Sequence, residues 1–409
     1  MVTAADLKVS ESVLRSALEL VGSREAPADP VEYFASLTWS VICEPGDGFA
    51  GKLIDTFGSA KALSFELERL SPQAYVARFA EAGSDWLEMQ AFGKFEQVLS
   101  DARERWGSRF SLSNVADGVN AAKAANAWFI TSESEGWPEG LSDLGKHSPR
   151  GLWGRGEPTL LTKPAISIVG SRMASAYGEF ATGELIGPLV SAGYSIVSGG
   201  AYGIDAMAHR ATLALDGSAI SVMAGGIDRL YPSGNAELLR TIAEVGCLIT
   251  EMPPGAEPTK WRFLQRNRII AALGQAAIVV EANPKSGAVS TANRALELGR
   301  PLGAVPGQIN TPGADGCHRL IRESGAELIT CAQDVLEMLG LGGESTEVAL
   351  AGLGSLETRV SDVIGHGAAN LDRICNEGGL TRNEAQLGIS GLLLAGLIEQ
   401  DSNGWRRKV

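Results

Sequence analysis

The chain has 409 residues, 44% of them hydrophobic and 20% charged, with a net charge of −13. That length exceeds one ordinary core and calls for two or three domains, and the hydrophobic share excludes a disordered chain. Five cysteines, Cys43, Cys247, Cys317, Cys331 and Cys375, form neither a CxxC pair nor an even framework, which argues against a zinc knuckle or a disulfide scaffold and fits a reducing cytoplasm. The first residues show no basic segment followed by an apolar run, and no apolar stretch nears ~18 residues, so neither a signal peptide nor a membrane span is expected. The acidity opposes a nucleic-acid partner, yet it is uneven: −8 over residues 1–162, −2 over 163–337 and −3 over 338–409. Clustered cations in the middle third are therefore free to build a local positive patch.

Residues 1 to about 110 carry helical periodicity, as in Leu14, Leu18 and Val21, then Phe34, Leu37 and Val41. Within them, Gly46-x-x-x-x-Gly51-Lys52 approaches a phosphate-binding loop, but Leu53 stands where a hydroxyl must hold Mg²⁺. The Pro45-Gly46-Asp47-Gly48 turn resembles instead a helix-hairpin-helix (SAM-like) element. Its N–H groups suit a DNA phosphate, whereas Glu44 and Asp47 beside it suit a structural role. A helical domain is expected over 1–127. From Trp128 to Glu157 the text is rich in Pro and Gly and is read as a loop approaching a sheet.

Between Ile166 and Glu337 one unit recurs six times: an apolar run, a turn of glycine and small polar residues, then a helix-like stretch. That is the pattern of a parallel α/β sheet. Strands are expected at Ala165–Val169, Tyr194–Ser198, Ala219–Met223, Cys247–Thr250, Ala277–Glu281, Pro301–Val305 and Glu327–Ile329. All but the last are apolar enough for burial on both faces. Ligands of such sheets lie over the carboxyl ends of the strands. There Gly170 lets backbone approach a phosphate, Ser171 donates a hydroxyl and Arg172 adds charge, although Gly170 also suits a plain tight turn.

Ser198-Gly199-Gly200 form a second turn before a helix starting near Ile204. Asp205 is read as a carboxylate at that helix start; its spacing allows a pair with His209 on one face, but His209 is read first as a structural or hydrogen-bonding histidine. Lys260 to Arg268 holds four cations, two aromatics and no acid. Lys260 and Phe263 lie on one helical face, a phosphate contact beside a stacking ring. Arg266, Asn267 and Arg268 follow, Arg266 being the better phosphate candidate, with a buried pair to a residue such as Glu281 as the other reading of either arginine. Ser286 and Gly287, with Ser290 and Thr291, either complete a ring of donors or cap a helix. Cations joined to flat rings point to single-stranded nucleic acid. Residues 340–357 are Gly- and Ser-rich and read as a linker, and 358–409 as three short helices with a hairpin closing at Asn403-Gly404-Trp405, a small winged-helix-like pattern.

Gly170-Ser171-Arg172, Ser198-Gly199-Gly200-Ala201-Tyr202-Gly203-Ile204-Asp205-Ala206-Met207-Ala208-His209, Tyr231-Pro232, Arg266-Asn267-Arg268-Ile269-Ile270, Val280-Glu281-Ala282, Ser286-Gly287-Ala288, Val305-Pro306-Gly307 and Gly316-Cys317-His318-Arg319-Leu320-Ile321 resemble the DNA-processing protein A (DprA/Smf) family. The resemblance implies an extended Rossmann-like α/β domain, here 128–339, between an N-terminal helical domain and a C-terminal winged helix. It also implies binding and protection of single-stranded DNA, help in loading the RecA recombinase during natural transformation, a homodimer through the later helices near Gly316 to Glu337, and no established catalytic activity. Tyr202 stands where many members have arginine, and Leu264 replaces a usual proline.

The alternative is a nucleotide-binding or nucleotide-hydrolysing enzyme related to phosphoribohydrolases of the lysine decarboxylase-like group. Their Pro-Gly-Gly-x-Gly-Thr-x-x-Glu segment is missing, since Gly225-Gly226-Ile227-Asp228 and Pro306-Gly307-Gln308 lack its Thr and Glu. No G-x-G-x-x-G follows the first strand either. No catalytic residue, metal site or cofactor is expected.

Overall fold

The computed structural model describes every residue except 1, 23–24, 85–91, 342–353, 366–367, 402–403 and 408–409. It forms two compact units, Met1–Leu339 and Gly340–Val409.

The larger unit begins with helices α1 (Glu11–Leu18), α2 (Pro30–Ile42), α3 (Gly48–Phe57), α4 (Ser59–Leu67), α5 (Pro72–Glu81), α6 (Phe92–Gly107) and α7 (Leu112–Ala124). Their starts follow from local chemistry. The Asp29 carboxylate accepts from the N–H groups of Val31 and Glu32 while Pro30 opens α2, and Asp47 accepts from Phe49 and Ala50 to open α3. Tyr33 through Ile42 are all buried, and Trp39 packs edge-on against Trp106 with centroids 5.2 Å apart. The same apolar cluster continues into Trp153, Leu239 and Leu248, so these helices share their core with the sheet.

The sheet contains β1 (Trp128–Ile130), β2 (Leu152–Gly156), β3 (Ala165–Val169), β4 (Ser195–Ser198), β5 (Ala219–Met223), β6 (Cys247–Thr250), β7 (Ala276–Val279), β8 (Leu302–Ala304) and β9 (Glu327–Leu328). Their order is β1-β2-β6-β5-β4-β3-β7-β8-β9, parallel from β6 to β9 and antiparallel at the β1–β2 and β2–β6 pairs. The parallel strands sit where the apolar runs placed them, with ends trimmed. β7 stops at Val279 because Glu281 turns away to accept from the backbone N–H and hydroxyl of Ser175.

Alternation places Ile166 and Ile168 among α8 (Ala176–Ser191), α9 (Ile204–Ala214) and α14 (Ala332–Met338). Ala165 and Val169 face α11 (Lys260–Leu273) and α12 (Gly287–Glu297). Helices α10 (Ala236–Val245) and α13 (Asp315–Ser324) complete the cover.

The segment Trp128 to Glu157 is not the loop it resembles in sequence, since it supplies β1 and β2. These strands are short and glycine-bearing, so they lack an apolar-run signature. Gly154 leaves room for the Trp128 ring across the pair, and the indole N–H donates to the Gly156 carbonyl at 2.9 Å.

The smaller unit contains α15 (Ser355–Ile364), α16 (Leu371–Gly378), α17 (Arg382–Leu394) and an antiparallel pair, β10 (Ile398–Asp401) and β11 (Gly404–Arg407). Val360, Ile364, Ile374, Leu392 and Ile398 form its core. Most of the expected linker, 342–353, lies outside the described residues, as does Asn403 of the expected closing turn.

Candidate nucleic-acid interface

Strand order reverses beside β3: the chain moves from β3 to β4 on one side, and β7 is laid down on the other. The helices that follow β3 and β7, α8 and α12, therefore leave on opposite faces, and a crevice opens beyond the carboxyl ends. A cleft of about 740 Å³ occupies that place, with Gly170, Arg172, Lys260, Phe263, Asn267 and Ser286 in its wall. Helix α11 supplies one side because Thr259 caps it, accepting from the Arg262 N–H, so that Lys260 opens its first turn into the cleft.

Charge in this cleft is opposite to that of the chain. Arg172 and Lys260 are exposed, and neither belongs to an ion pair among the described residues. The one acid in the wall, Asp205, is buried and turned inward, its Oδ2 accepting from the N–H groups of Gly199 at 3.2 Å and Ala201 at 3.4 Å. Burial raises its carboxyl pKa against the opposing pull of Arg266 and of those N–H groups. The Arg172 guanidinium carbon lies 5.4 Å from the centroid of Phe263, and that of Arg266 lies 5.7 Å from it. Asn267 donates to the Gly287 carbonyl at 3.2 Å, tying α11 to the start of α12, where Ser286 caps by accepting from Val289.

The structure thus brings together Gly170, Ser171, Arg172, Lys260, Phe263, Arg266, Asn267, Ser286 and Gly287, and it sets aside four other expected residues. Ser198 is fully buried and donates to the Ile168 carbonyl at 2.6 Å. Gly199 leaves the space that the Arg266 guanidinium fills, and Gly200, at φ +65°, turns the chain against Leu239. Arg268 points away from the cleft to a buried ion pair with Glu251, not Glu281.

Arg266 itself is a floor element rather than a free phosphate ligand. Its Nη1 donates to the carbonyls of Gly199 and Val222 at 2.7 and 2.5 Å, and burial brings its pKa down to about 10, only partly offset by Asp205. Gly170 lies where a Cβ would strike Ile204, so it serves the tight turn as well as the cleft. The Asp205–His209 pairing suggested by their spacing does not form. His209 is fully buried with neither ring nitrogen bonded, and burial, aided by Arg266, pushes it down to about 3.

The Glu44 to Asp47 turn directs its acids inward. Glu44 accepts from Arg262 at 2.7 and 3.1 Å and from Arg109 at 2.6 Å, and Asp47 accepts from the Trp106 indole at 2.9 Å. Arg262 is thereby spent on holding α11 to the N-terminal helices. Of the four cations between Lys260 and Arg268, Arg262 and Arg268 are ion-paired and Arg266 is bonded to carbonyls, which leaves Lys260 as the one with neither kind of partner among the described residues. Sequence reasoning did not place Tyr231, Thr259 or Asn283 in the wall. Only Tyr231 carried a signal, inside the Tyr231-Pro232 motif. Among the described residues no group of three His, Cys, Asp or Glu side chains is placed to hold a metal ion.

A family profile described as DNA recombination-mediator protein A matches residues 128–340. The chain is 39% identical over 329 residues to a putative DNA processing protein DprA of Mycobacterium tuberculosis, covering 76% of this chain and 84% of that protein. It is 43% identical over 192 residues to DNA processing protein DprA of Bacillus subtilis, covering 47% and 64% respectively. The X-ray structure of DNA processing protein A from Streptococcus pneumoniae superposes with a TM-score of 0.57 at 29% identity, covering 75% of this chain and 97% of that one.

Proposed function

The chain belongs to the DNA recombination-mediator protein A family, a family of DNA-processing proteins and not a known enzyme family, and on that premise we propose that its cleft holds single-stranded DNA. One observation carries the reading: in an acidic chain, two unpaired cations and an aromatic ring meet at the strand-order reversal, with the single wall acid buried and bonded inward. Phosphates suit Arg172, Lys260 and the start of α12, and the Phe263 ring suits an unstacked base face, which duplex DNA does not present. Gly170, Ser171, Asn267, Ser286 and Gly287 line the strand's path in this reading, and Arg266 supplies positive field from beneath.

The experiment is fluorescence anisotropy of labelled oligo-dT with unlabelled oligo-dT, blunt duplex or ATP as competitors. Oligo-dT should displace the probe at far lower concentration than duplex, and ATP should not displace it. Equal competition by duplex contradicts the reading, and displacement by ATP favours a nucleotide-binding enzyme instead.

In the wider proposal the protein protects incoming single strands and passes them to the RecA recombinase in the cytoplasm during natural transformation. The family's description as recombination mediators supports this. The domain reading is likewise ours: 1–127 helical, 128–339 binding DNA, 340–357 linking, and 358–409 a winged-helix-like module. A homodimer through the region from Gly316 to Glu337 adds a second cleft at high effective concentration. Its support is β9, an edge strand with both residues exposed, Leu328 among them. Light scattering on the full chain at tens of micromolar should report twice the monomer mass, and a monomer rules the dimer out.

A further inference from the structure

Phe263 has two guanidinium groups within 6 Å of its ring centroid, so much of its face is engaged by the protein. One exposed ring lies next to it, and a second is carried by the loop clamped to the first one's loop. Tyr231 lines the cleft, is 51% exposed and meets Phe263 at a centroid distance of 5.7 Å and an angle of 54°. Tyr202 is 46% exposed and sits between Ala201, a cleft-wall residue, and Gly203, whose backbone presses against Ser171 and Arg172.

Two loops carry these tyrosines, and they are clamped together. The buried Asn235 amide donates to the carbonyls of Gly200 and Ala201, both at 3.0 Å, and the Tyr202 hydroxyl accepts from the Gly234 N–H at 3.2 Å. The two loops are thus fixed to each other beside the cleft, and each tyrosine keeps about half of its surface in solvent. Other exposed aromatics lack that setting. Tyr177 and Phe180 share α8 with exposed Glu179 and Glu184, a face that repels DNA, and Trp261 lies on α11 rather than on the clamped loops.

We propose that Tyr202 and Tyr231 form a base-stacking ledge for the nucleobases of the same single strand whose phosphates lie on Arg172 and Lys260. The ledge rests on the single-strand reading of the cleft and adds the place where bases are held. Every nucleobase offers a face, so the ledge is tolerant of sequence. It responds to loss of bases rather than to loss of charge.

The test compares oligo-dT with an abasic deoxyribose-phosphate oligomer of the same length, using the full chain and the variants Tyr202→Ala, Tyr231→Ala and Tyr231→Phe. Each alanine variant should bind oligo-dT about 5- to 150-fold more weakly, the span of one lost stacking contact. Binding of the abasic oligomer and the salt dependence should not change, and Tyr231→Phe, which keeps the ring, should keep wild-type affinity. Alanine variants that bind oligo-dT as well as wild type, or that lose equally on both oligomers, overturn the ledge while leaving the cleft's role intact. Wild-type protein that leaves oligo-dT unbound overturns the single-strand reading, and the ledge with it.

Discussion

Arg266→Ala should cost the larger unit about 3–5 kcal/mol of stability, a result expected of a structural arginine and not of a surface phosphate ligand. The guanidinium is buried to 6% exposure, donates to the carbonyls of Gly199 and Val222 through Nη1, and stands near the buried Asp205. Truncation leaves two carbonyls without this donor, removes the positive neighbour of a buried carboxyl and opens a void beside Gly199. Lysine cannot restore the arrangement, because an ammonium is a compact point charge without the planar fork. Urea denaturation of the full chain, followed through the larger unit's tryptophans, reads the loss directly. An alanine variant with an unchanged midpoint and abolished DNA binding would make Arg266 a ligand and the floor assignment wrong.

Arg172→Ala combined with Lys260→Ala should weaken oligo-dT binding about 100-fold near 0.1 M salt, on the basis of ~1.5 kcal/mol for each charge-assisted contact. Both side chains are exposed and outside any ion pair among the described residues, so the fold should be untouched. Each phosphate contact to a single strand contributes about −0.7 to the slope of log K against log salt, and the double variant should therefore flatten that slope by about 1.4. Circular dichroism confirms folding, and anisotropy across a salt series gives the slope. Undiminished affinity in a folded double variant places the DNA elsewhere.

The contrast between these two experiments reflects what the sequence could and could not convey. Continuous apolar runs such as Ala165–Val169 and Ala219–Met223 announce parallel strands, and the glycine turns after them announce the carboxyl-end crevice. The direction of a side chain on its helix is harder to read. On α11, Lys260, Phe263, Leu264, Asn267 and Ile270 recur at helical spacing and all line the cleft, while Arg262 and Arg268 emerge on other sides and meet Glu44 and Glu251. Those acids lie 218 and 17 residues away in the chain, so nothing near either arginine disclosed its partner. β1 and β2 were hidden for a different reason: three- and five-residue strands holding two glycines depend on cross-strand pairing rather than on apolar content. The Glu44 to Asp47 turn left two roles open until its acids were seen to cap α3 and grip Arg262.

That a single strand lies along the cleft at the β3/β7 reversal is most directly tested by photo-crosslinking. Oligo-dT carrying 5-iodouracil at successive positions, irradiated with the full chain and digested for mass spectrometry, should place its crosslinks on Tyr202, Tyr231 and Phe263. They should disappear in the Arg172→Ala, Lys260→Ala double variant. Crosslinks confined to the Pro45 to Gly48 turn or to residues 355–407, and unaffected by that variant, would contradict the account.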